Sequence, residues 1–360
     1  MDTDIFRVIY KFGNIVALIP FTTNRMKPSR FLHNCHELIA FLIYTCVILL
    51  LMYYRVDNNI GYTIIQQTLS ICADVVIYVD ICVTVLSLNS KKSEWSKLVK
   101  NLRAIEVNKS VKADYWIFLT PQIIFIGNIV AILYACINYL GRDRLATNVC
   151  IFVQYYSQCF LITVLILILK MLLLRYRYYK RLFLVRDISI IKIIESTKLF
   201  KKHGHTIYKL RQTVDIVNSI FGWTILSNTV LFSLKNLIFL DAVIRDGGIF
   251  KAKADGEVAV LITGTQVVML ILLWVGFLSI NFLCDAILDE YDEIFKIWNQ
   301  LEINVGQVDS QEWYNFDKIM THCCPRFSAA RFFLVCRSTV FTVLGSITTF
   351  IIVIIQFKFN

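Results

Sequence analysis

Seven apolar segments, joined by connections whose positive charge alternates, constrain this 360-residue chain more than any other feature. Each segment is near or above the ~20 residues that a helix needs to cross a ~30 Å hydrocarbon core. The segments are Leu38–Tyr54, Thr63–Leu88, Tyr115–Leu140, Val149–Leu174, Ile216–Ile244, Val258–Leu283 and Val335–Phe357. The sequence therefore predicts an all-α membrane protein with seven transmembrane helices.

The connections differ sharply in their content of lysine and arginine. The N-terminal segment and the 2–3, 4–5 and 6–7 connections hold 28 of the 37 basic residues, whereas the other connections and the C-terminus hold 7. Because positively charged loops remain in the cytoplasm, we predict a cytoplasmic N-terminus and an extracellular C-terminus in a multi-pass protein of the plasma membrane. This orientation, rather than nucleic-acid binding, accounts for the net charge of +11.

Two of the predicted cytoplasmic connections are long and carry opposite charge. The 4–5 connection, residues 175–215, is rich in lysine and arginine, whereas the 6–7 segment, residues 284–334, has nine acidic residues against four basic ones. Apolar residues recur at helical spacing in the second: Ile287, Tyr291, Ile294, Trp298 and Leu301. We predict that helical extensions of spans 4 to 7 pack together as an anchor region. The alternative is that the basic run contacts anionic lipid head groups.

The remaining chain divides simply. Residues 1–37 form the predicted cytoplasmic N-terminal segment, residues 38–283 hold spans 1 to 6, and residues 335–357 form the last helix. Within the first segment, the short apolar run Phe12–Phe21 predicts an amphipathic or re-entrant helix on the cytoplasmic face. Cys136 and Cys150 flank the 3–4 connection and can form one disulfide, although buried free thiols are the favoured interpretation.

The last apolar segment carries a stripe of small and polar side chains. They recur at steps of three and four: Ser338, Thr342, Gly345, Ser346, Thr349, Val353 and Gln356. The amide of Gln356 would lack hydrogen-bond partners in lipid, which argues against a lipid-facing stripe. Either the stripe packs against other helices of the same chain, or it lines a water-filled pore. A single helix cannot enclose a pore, so the second interpretation requires several copies.

The end of this helix resembles a known family. Residues 349–357, Thr-Phe-Ile-Ile-Val-Ile-Ile-Gln-Phe, resemble the C-terminal TYhhhhhQF signature of insect gustatory receptors, with Phe350 in place of the usual tyrosine. The F-x-A-x-x-F-F stretch at residues 327–333 and the V-N-x-x-F-G stretch at residues 217–222 are also similar to that family. The resemblance covers the C-terminal half in motifs and the N-terminal half in topology.

The resemblance implies a taste receptor that is a ligand-gated, non-selective cation channel, in which the last helices of four copies line a central pore. Its partners would be a small-molecule tastant, permeating cations, the lipid bilayer, and copies of itself or related subunits. Carried over by position, Gln356 and Phe357 would lie at the gate and Thr349 one or two turns below it. The stripe adds Thr342, Ser346 and Val353 to the predicted pore positions.

A ligand pocket reached from outside would use the outer halves of the helices. The amide and aromatic residues there are Gln66, Gln67, Tyr134, Gln154, Tyr155, Gln158, Gln266 and Trp274. Such residues suit a small polar or aromatic ligand. For each of them the alternative is hydrogen bonding between helices or anchoring at the membrane interface. Asp74, Asp80 and Lys235 are charges within predicted spans, and such charges mark a cavity or an ion pair.

Other functions fit less well. A G-protein-coupled chemoreceptor is the main alternative, but the D-R-Y and N-P-x-x-Y motifs are absent and the predicted orientation is reversed. A transporter would show paired spans broken by glycine or proline, and the seven unbroken segments do not show this pattern. His33, Cys35 and His36 have no second group of ligands, so no metal site is predicted. No phosphate-binding loop or hydrolase motif occurs, and we predict neither an enzyme nor a cofactor.

Overall fold

The computed structural model describes residues 9, 12–13, 18–20, 30–57, 64–104, 112–140, 142–187, 196–246, 256–305 and 311–359. Seven helices in these ranges are long and apolar enough to span a membrane, and each corresponds to one predicted segment. The helices are α1 (Arg30–Asp57), α2 (Ile64–Ala104), α3 (Lys112–Ala135), α4 (Arg142–Asp187), α5 (Ser196–Asp246), α6 (Gly256–Val305), α7 (Gln311–His322) and α8 (Arg337–Phe359). The predicted seven-helix, all-α fold is confirmed.

Two short features complete the architecture. A π-helical turn, Cys136–Leu140, follows α3 directly. The strands β1 (Ser328–Ala329) and β2 (Phe333–Leu334) form an antiparallel hairpin between α7 and α8. Cys136 and Cys150 are both buried free thiols.

Four helices are about twice as long as a membrane span requires. Helices α2, α4, α5 and α6 contain 41, 46, 51 and 50 residues. Residues 175–187 and 196–215 continue the neighbouring helices, as the predicted extensions of spans 4 and 5 require, and residues 89–104 extend α2 in the same way, which the sequence did not predict. We use the name extended end for these surplus lengths together with residues 284–305, α7 and the hairpin.

The extended end is held together by apolar packing and by opposite charges. Arg177 and Lys180 of α4 contact Glu290 of α6, with Nε–Oε1 and Nζ–Oε2 distances of 2.8 and 2.6 Å. The fully buried Trp298 donates from its indole nitrogen to Asp317 Oδ1 of α7 at 3.2 Å. The predicted packing of helical extensions is confirmed, and these two basic side chains face acidic residues of the chain rather than lipid.

Helix α4 occupies the centre of the bundle and α8 lies at its edge. From Phe160 to Leu173 nearly every side chain of α4 is buried. By contrast, α8 contributes Val340 and Ile347 to a small cluster with Phe232 of α5 and Phe277 of α6. The most apolar surface is therefore concentrated around one helix, while α8 makes contact along one side only.

The predicted helix at Phe12–Phe21 falls largely outside the described residues. Leu18, Ile19 and Pro20 are not helical, and all three are buried. Leu18 and Ile19 join the main core together with Ile9. Leu18, Ile19 and Pro20 therefore pack into the bundle, whereas Phe12 is helical and 47% exposed.

Candidate functional site

One face of α8 is polar and exposed on the surface of the subunit. All seven stripe residues are exposed: Ser338, Thr342, Gly345, Ser346, Thr349, Val353 and Gln356. At about 100° per residue they lie opposite Val340 and Ile347, which face the bundle. The described helices of this chain do not cover the stripe, so packing against them does not explain it. Phe357 is the next residue of α8, and its side chain lies outside the described set.

The hydroxyl groups of the stripe are arranged as acceptors. Thr342, Ser346 and Thr349 each donate a 3.0 Å hydrogen bond to the carbonyl oxygen four residues earlier. Their protons are thereby used within the helix, and lone pairs of the exposed oxygens remain available. A helix face lined by such oxygens favours contact with hydrated cations over anions.

Arg337 holds the first turn of α8 against α6. Its Nε lies 2.5 Å from Asp285 Oδ2 and its Nη2 lies 3.1 Å from Asp289 Oδ2. The sequence analysis did not identify this contact. The pattern that could have indicated it is the pair Asp285 and Asp289, which lie one helical turn apart on α6.

A second candidate site is a small cavity between α3, α4 and α6. Its volume is about 50 Å³. It is lined by Pro121, Phe125, Tyr155, Gln158, Cys159, Ile162, Thr163, Ile166, Met269, Leu272, Leu273, Val275 and Gly276. None of these lining residues is charged, and most are apolar. The cavity therefore suits an uncharged group and has room for only part of an organic molecule in this conformation.

Polar groups at this cavity lack partners within the described part of the chain. Both amide atoms of Gln158 and the hydroxyl of Tyr155 are buried without a hydrogen bond. Gln154 and Gln122, close by in sequence, bury both amide atoms in the same way. Each such group costs roughly 1–3 kcal/mol unless water or a bound molecule pairs with it.

The other predicted ligand-binding residues lie elsewhere. Gln66 is buried and Gln67 half-buried on α2, whereas Tyr134 and Gln266 are exposed on the surface of the subunit. Trp274 stacks edge-on against Phe232 at 4.8 Å and donates to Asn236 Oδ1 at 3.1 Å, which joins α6 to α5. Of the predicted set, the structure places Tyr155 and Gln158 in the cavity lining and Gln154 one turn away.

The sequence did not identify the apolar part of the lining. Phe125 and Met269 carry no polar group that distinguishes them from other core residues. Gly276 lets α6 approach α4 closely, because a Cβ there would lie only 3.0 Å from Ile162 Cγ2. Only the arrangement of three helices brings these residues to one place.

The charges within the spans are accommodated by neighbouring helices. The Lys235 ammonium lies 5.0 Å from the ring centroid of Tyr155. Asp80 accepts a hydrogen bond from the Thr224 hydroxyl at 3.2 Å. Asp74 is fully buried. Lys235 thus lies behind the cavity wall, where its charge contacts an aromatic face.

The chain resembles known chemosensory proteins along its whole length. A family model described as 7tm Chemosensory receptor matches residues 6–360. No curated protein matches the sequence. The insect olfactory receptor OR5 from Machilis hrabei in complex with eugenol shares the fold, with a TM-score of 0.66, 14% identity and 98% coverage of both chains. A second structure of the insect olfactory receptor OR5 from Machilis hrabei gives a TM-score of 0.60, 13% identity and the same coverage.

Proposed function

Because the chain belongs to the 7tm chemosensory receptor family, whose model spans residues 6–360, we propose that it is a gustatory receptor acting as a ligand-gated, non-selective cation channel. In this proposal four copies in the plasma membrane place α8 around a central pore, with the N-terminus in the cytoplasm. A small-molecule tastant opens the pore from the cavity between α3, α4 and α6.

The exposed polar stripe of α8 carries this proposal. An amide such as Gln356 lacks hydrogen-bond partners in a hydrocarbon environment, so its exposure on a spanning helix is costly unless water or protein covers it. The described helices of the chain do not cover it. A cyclic assembly of several copies would surround the stripe with water and place the same face of each α8 toward a common axis.

The two flanks of the stripe support an assembly. Phe341 and Ile352 lie on one side of it and are 73% and 51% exposed, and Phe350 lies on the other side and is 57% exposed. In an assembly such apolar flanks would contact the neighbouring copy or lipid, while the polar face remained wet. The stripe carries oxygen acceptors and no formal charge, which favours weak discrimination among cations.

The cavity supports a compact, uncharged ligand. Its lining is mostly apolar and aromatic, with the Gln158 amide and the Tyr155 hydroxyl as unpaired hydrogen-bonding groups. A ligand larger than about 50 Å³ would favour a conformation in which α3, α4 and α6 separate, and so would shift the population of states. Helix α6 offers a direct connection to the pore helix, because it lines the cavity and also binds Arg337 through Asp285.

The decisive test is reconstitution of the purified protein in planar bilayers. Eugenol is the first ligand to try, because a protein of the same fold was solved with it, and sugars serve as a polar comparison. We expect cation currents whose reversal potential is near zero when Na⁺ lies on one side of the bilayer and K⁺ at the same concentration on the other. A response seen only in cells with functional G proteins would instead favour the G-protein-coupled alternative.

Two adjacent threonines provide a matched control for the pore. Thr348 and Thr349 are both exposed and both donate to a carbonyl oxygen one turn earlier, but only Thr349 lies on the stripe. We expect Thr349→Val and Gln356→Ile to change conductance or gating while surface expression remains intact, and Thr348→Val to behave like wild type. Equal effects of the two threonine variants would contradict the proposed pore face.

A further inference from the structure

The hairpin that leads into α8 contains a strained turn. The Phe332 amide donates to the Ala329 carbonyl at 2.8 Å, which closes a two-residue turn. The two central residues, Ala330 and Arg331, have φ angles of 48° and 68°. Glycine or asparagine normally occupies such turns, because a Cβ is disfavoured at positive φ. This turn therefore stores strain that the surrounding contacts must offset.

Helix α5 contacts the first strand of the hairpin and its turn. The Asn218 amide nitrogen donates to the Arg326 carbonyl at 2.7 Å, and its amide oxygen accepts from the Ser328 backbone at 3.1 Å. One turn further, Gly222 lies against the hairpin backbone, because a Cβ there would be 3.0 Å from the Ala330 nitrogen. We call Asn218 and Gly222 the hairpin socket.

The socket lies immediately next to the base of α8. Only Val335 and Cys336 separate β2 from the helix, and the Val335 amide donates to the Phe327 carbonyl at 3.0 Å. The Thr339 hydroxyl reaches back to the Leu334 carbonyl at 2.8 Å. A displacement of the hairpin from the socket must therefore move the first turn of α8.

The socket joins two motif segments that were separate in the sequence. Asn218 and Gly222 belong to the V-N-x-x-F-G stretch, and Ala330 belongs to the F-x-A-x-x-F-F stretch. The contact gives the two stretches a shared structural role, which is to hold a tight turn against a helix. A side chain at position 222 would press on the backbone of that turn.

We propose that Asn218 and Gly222 are positioning residues for gating, which hold α8 in its resting position by gripping a strained hairpin that leaves the socket when the pore opens. This inference rests on the proposed channel function. In the resting state the socket contacts offset the strain at Ala330 and Arg331. Opening releases the strain, so the turn favours the open state and the socket favours the closed one.

The first experiment measures the ligand-free open probability of single channels in planar bilayers. We expect Asn218→Ala and Gly222→Ala to raise it by about fivefold to tenfold, with unchanged single-channel conductance. Asn101→Ala removes a comparable side-chain contact to α5, at Gln212, without touching the hairpin. Gly127→Ala adds a methyl group where nothing lies within 4 Å. Both controls should retain the wild-type open probability.

A strain-relieving variant separates positioning from simple loss of structure. Ala330→Gly removes the Cβ from a positive-φ position and should stabilise the docked hairpin. In the Asn218→Ala background it should lower the open probability by about tenfold, back toward wild type. A general loss of packing would not be rescued by this change, so an unaltered open probability in the double variant would refute the stored-strain role.

Hydrogen exchange of residues 327–340 in the purified protein tests the socket without any current. Asn218→Ala and Gly222→Ala should accelerate exchange there, whereas Asn101→Ala and Gly127→Ala should not. Unchanged exchange would show that the socket does not hold the hairpin. Faster exchange with a wild-type open probability would refute the role of the socket in gating but not its contact with the hairpin. Absence of conductance in wild type and in every variant would overturn the channel function and this inference together.

Discussion

Helices α4 and α8 differ little in apolar character, yet the bundle uses them in opposite ways. Of the spanning segment of α4, 78% is buried, whereas only 11% of that of α8 is buried, so apolarity alone does not decide burial. In a membrane an apolar side chain is equally compatible with lipid and with a protein core. Packing between helices, rather than transfer from water, therefore selects which helix becomes central.

The two helices also treat polar side chains in opposite ways. Helix α4 buries Gln154 and Gln158 without partners among the described residues, whereas α8 exposes Thr349 and Gln356. Neither arrangement is favourable for an isolated subunit in lipid. Under the proposed function a ligand pairs with Gln158, which lines the cavity, and pore water hydrates Thr349 and Gln356.

The largest expected effect comes from placing a charge on each helix. Ile168 of α4 is fully buried and Thr349 is exposed on the α8 stripe. We expect Ile168→Asp to abolish folding, since an unpaired buried charge costs about 3–5 kcal/mol or more. Thr349→Asp should express and elute like wild type in size-exclusion chromatography. Loss of both proteins would show that the stripe is buried after all.

A milder comparison uses side-chain truncation. Leu165 is 0% exposed on α4, and Ile352 is 51% exposed on α8. Leu165→Ala should reduce the free energy of unfolding by about 2–4 kcal/mol through lost packing, and Ile352→Ala by under ~1 kcal/mol. Thermal unfolding in detergent measures both. A comparable loss for Ile352→Ala would indicate that a neighbouring copy buries this flank even in detergent.

Removal of a buried amide sharpens the contrast at the cavity. Gln158→Leu eliminates two unpaired polar atoms, so stability should be unchanged or greater by ~1 kcal/mol. The concentration of eugenol needed for half-maximal current should rise about tenfold if the amide binds the ligand. Gln266→Leu, on the exposed surface of α6, should alter neither property. A strongly destabilised Gln158→Leu would reveal a structural role for this amide.

The smallest effect is expected at the extended end. Lys180→Ala breaks the contacts with Glu290 and Glu293, but such partly exposed ion pairs contribute about 0–1 kcal/mol each. The loss should shrink further in high salt because of screening. Arg181→Ala, on an exposed position of the same helix, should have no measurable effect on thermal unfolding. A loss well above 1 kcal/mol would show that the pair is shielded from solvent, for example by another copy.

The sequence predicted which residue types form the candidate sites, but not which individual residues come together there. The helical spacing of Thr342, Thr349 and Gln356 identified one face of α8, because a regular period defines which residues share a side. The same reasoning grouped Gln158 with Tyr134 and Gln266, which the structure separates between the interior and the surface. A depth along the membrane can be estimated from chain direction, but rotation of a helix about its axis depends on its neighbours.

The hairpin socket shows the same limit for local structure. Nothing in Ala330-Arg331 predicts a turn with two positive φ angles, since the usual glycine or asparagine is absent. The hairpin that carries this turn is contacted by Asn218 and Gly222, more than 100 residues earlier in the chain. Long-range contacts of this kind are invisible to any reading of short sequence windows.

The sequence by itself determined the number of spanning helices, their approximate limits and the stripe on the last one, because length, apolarity and period are local properties that the bilayer tests directly. Tertiary structure decided that α4 is central, that the stripe of α8 is left uncovered and that Gln158 faces a cavity. These outcomes depend on how side chains of different helices interlock, and the free energy of that packing belongs to no single segment.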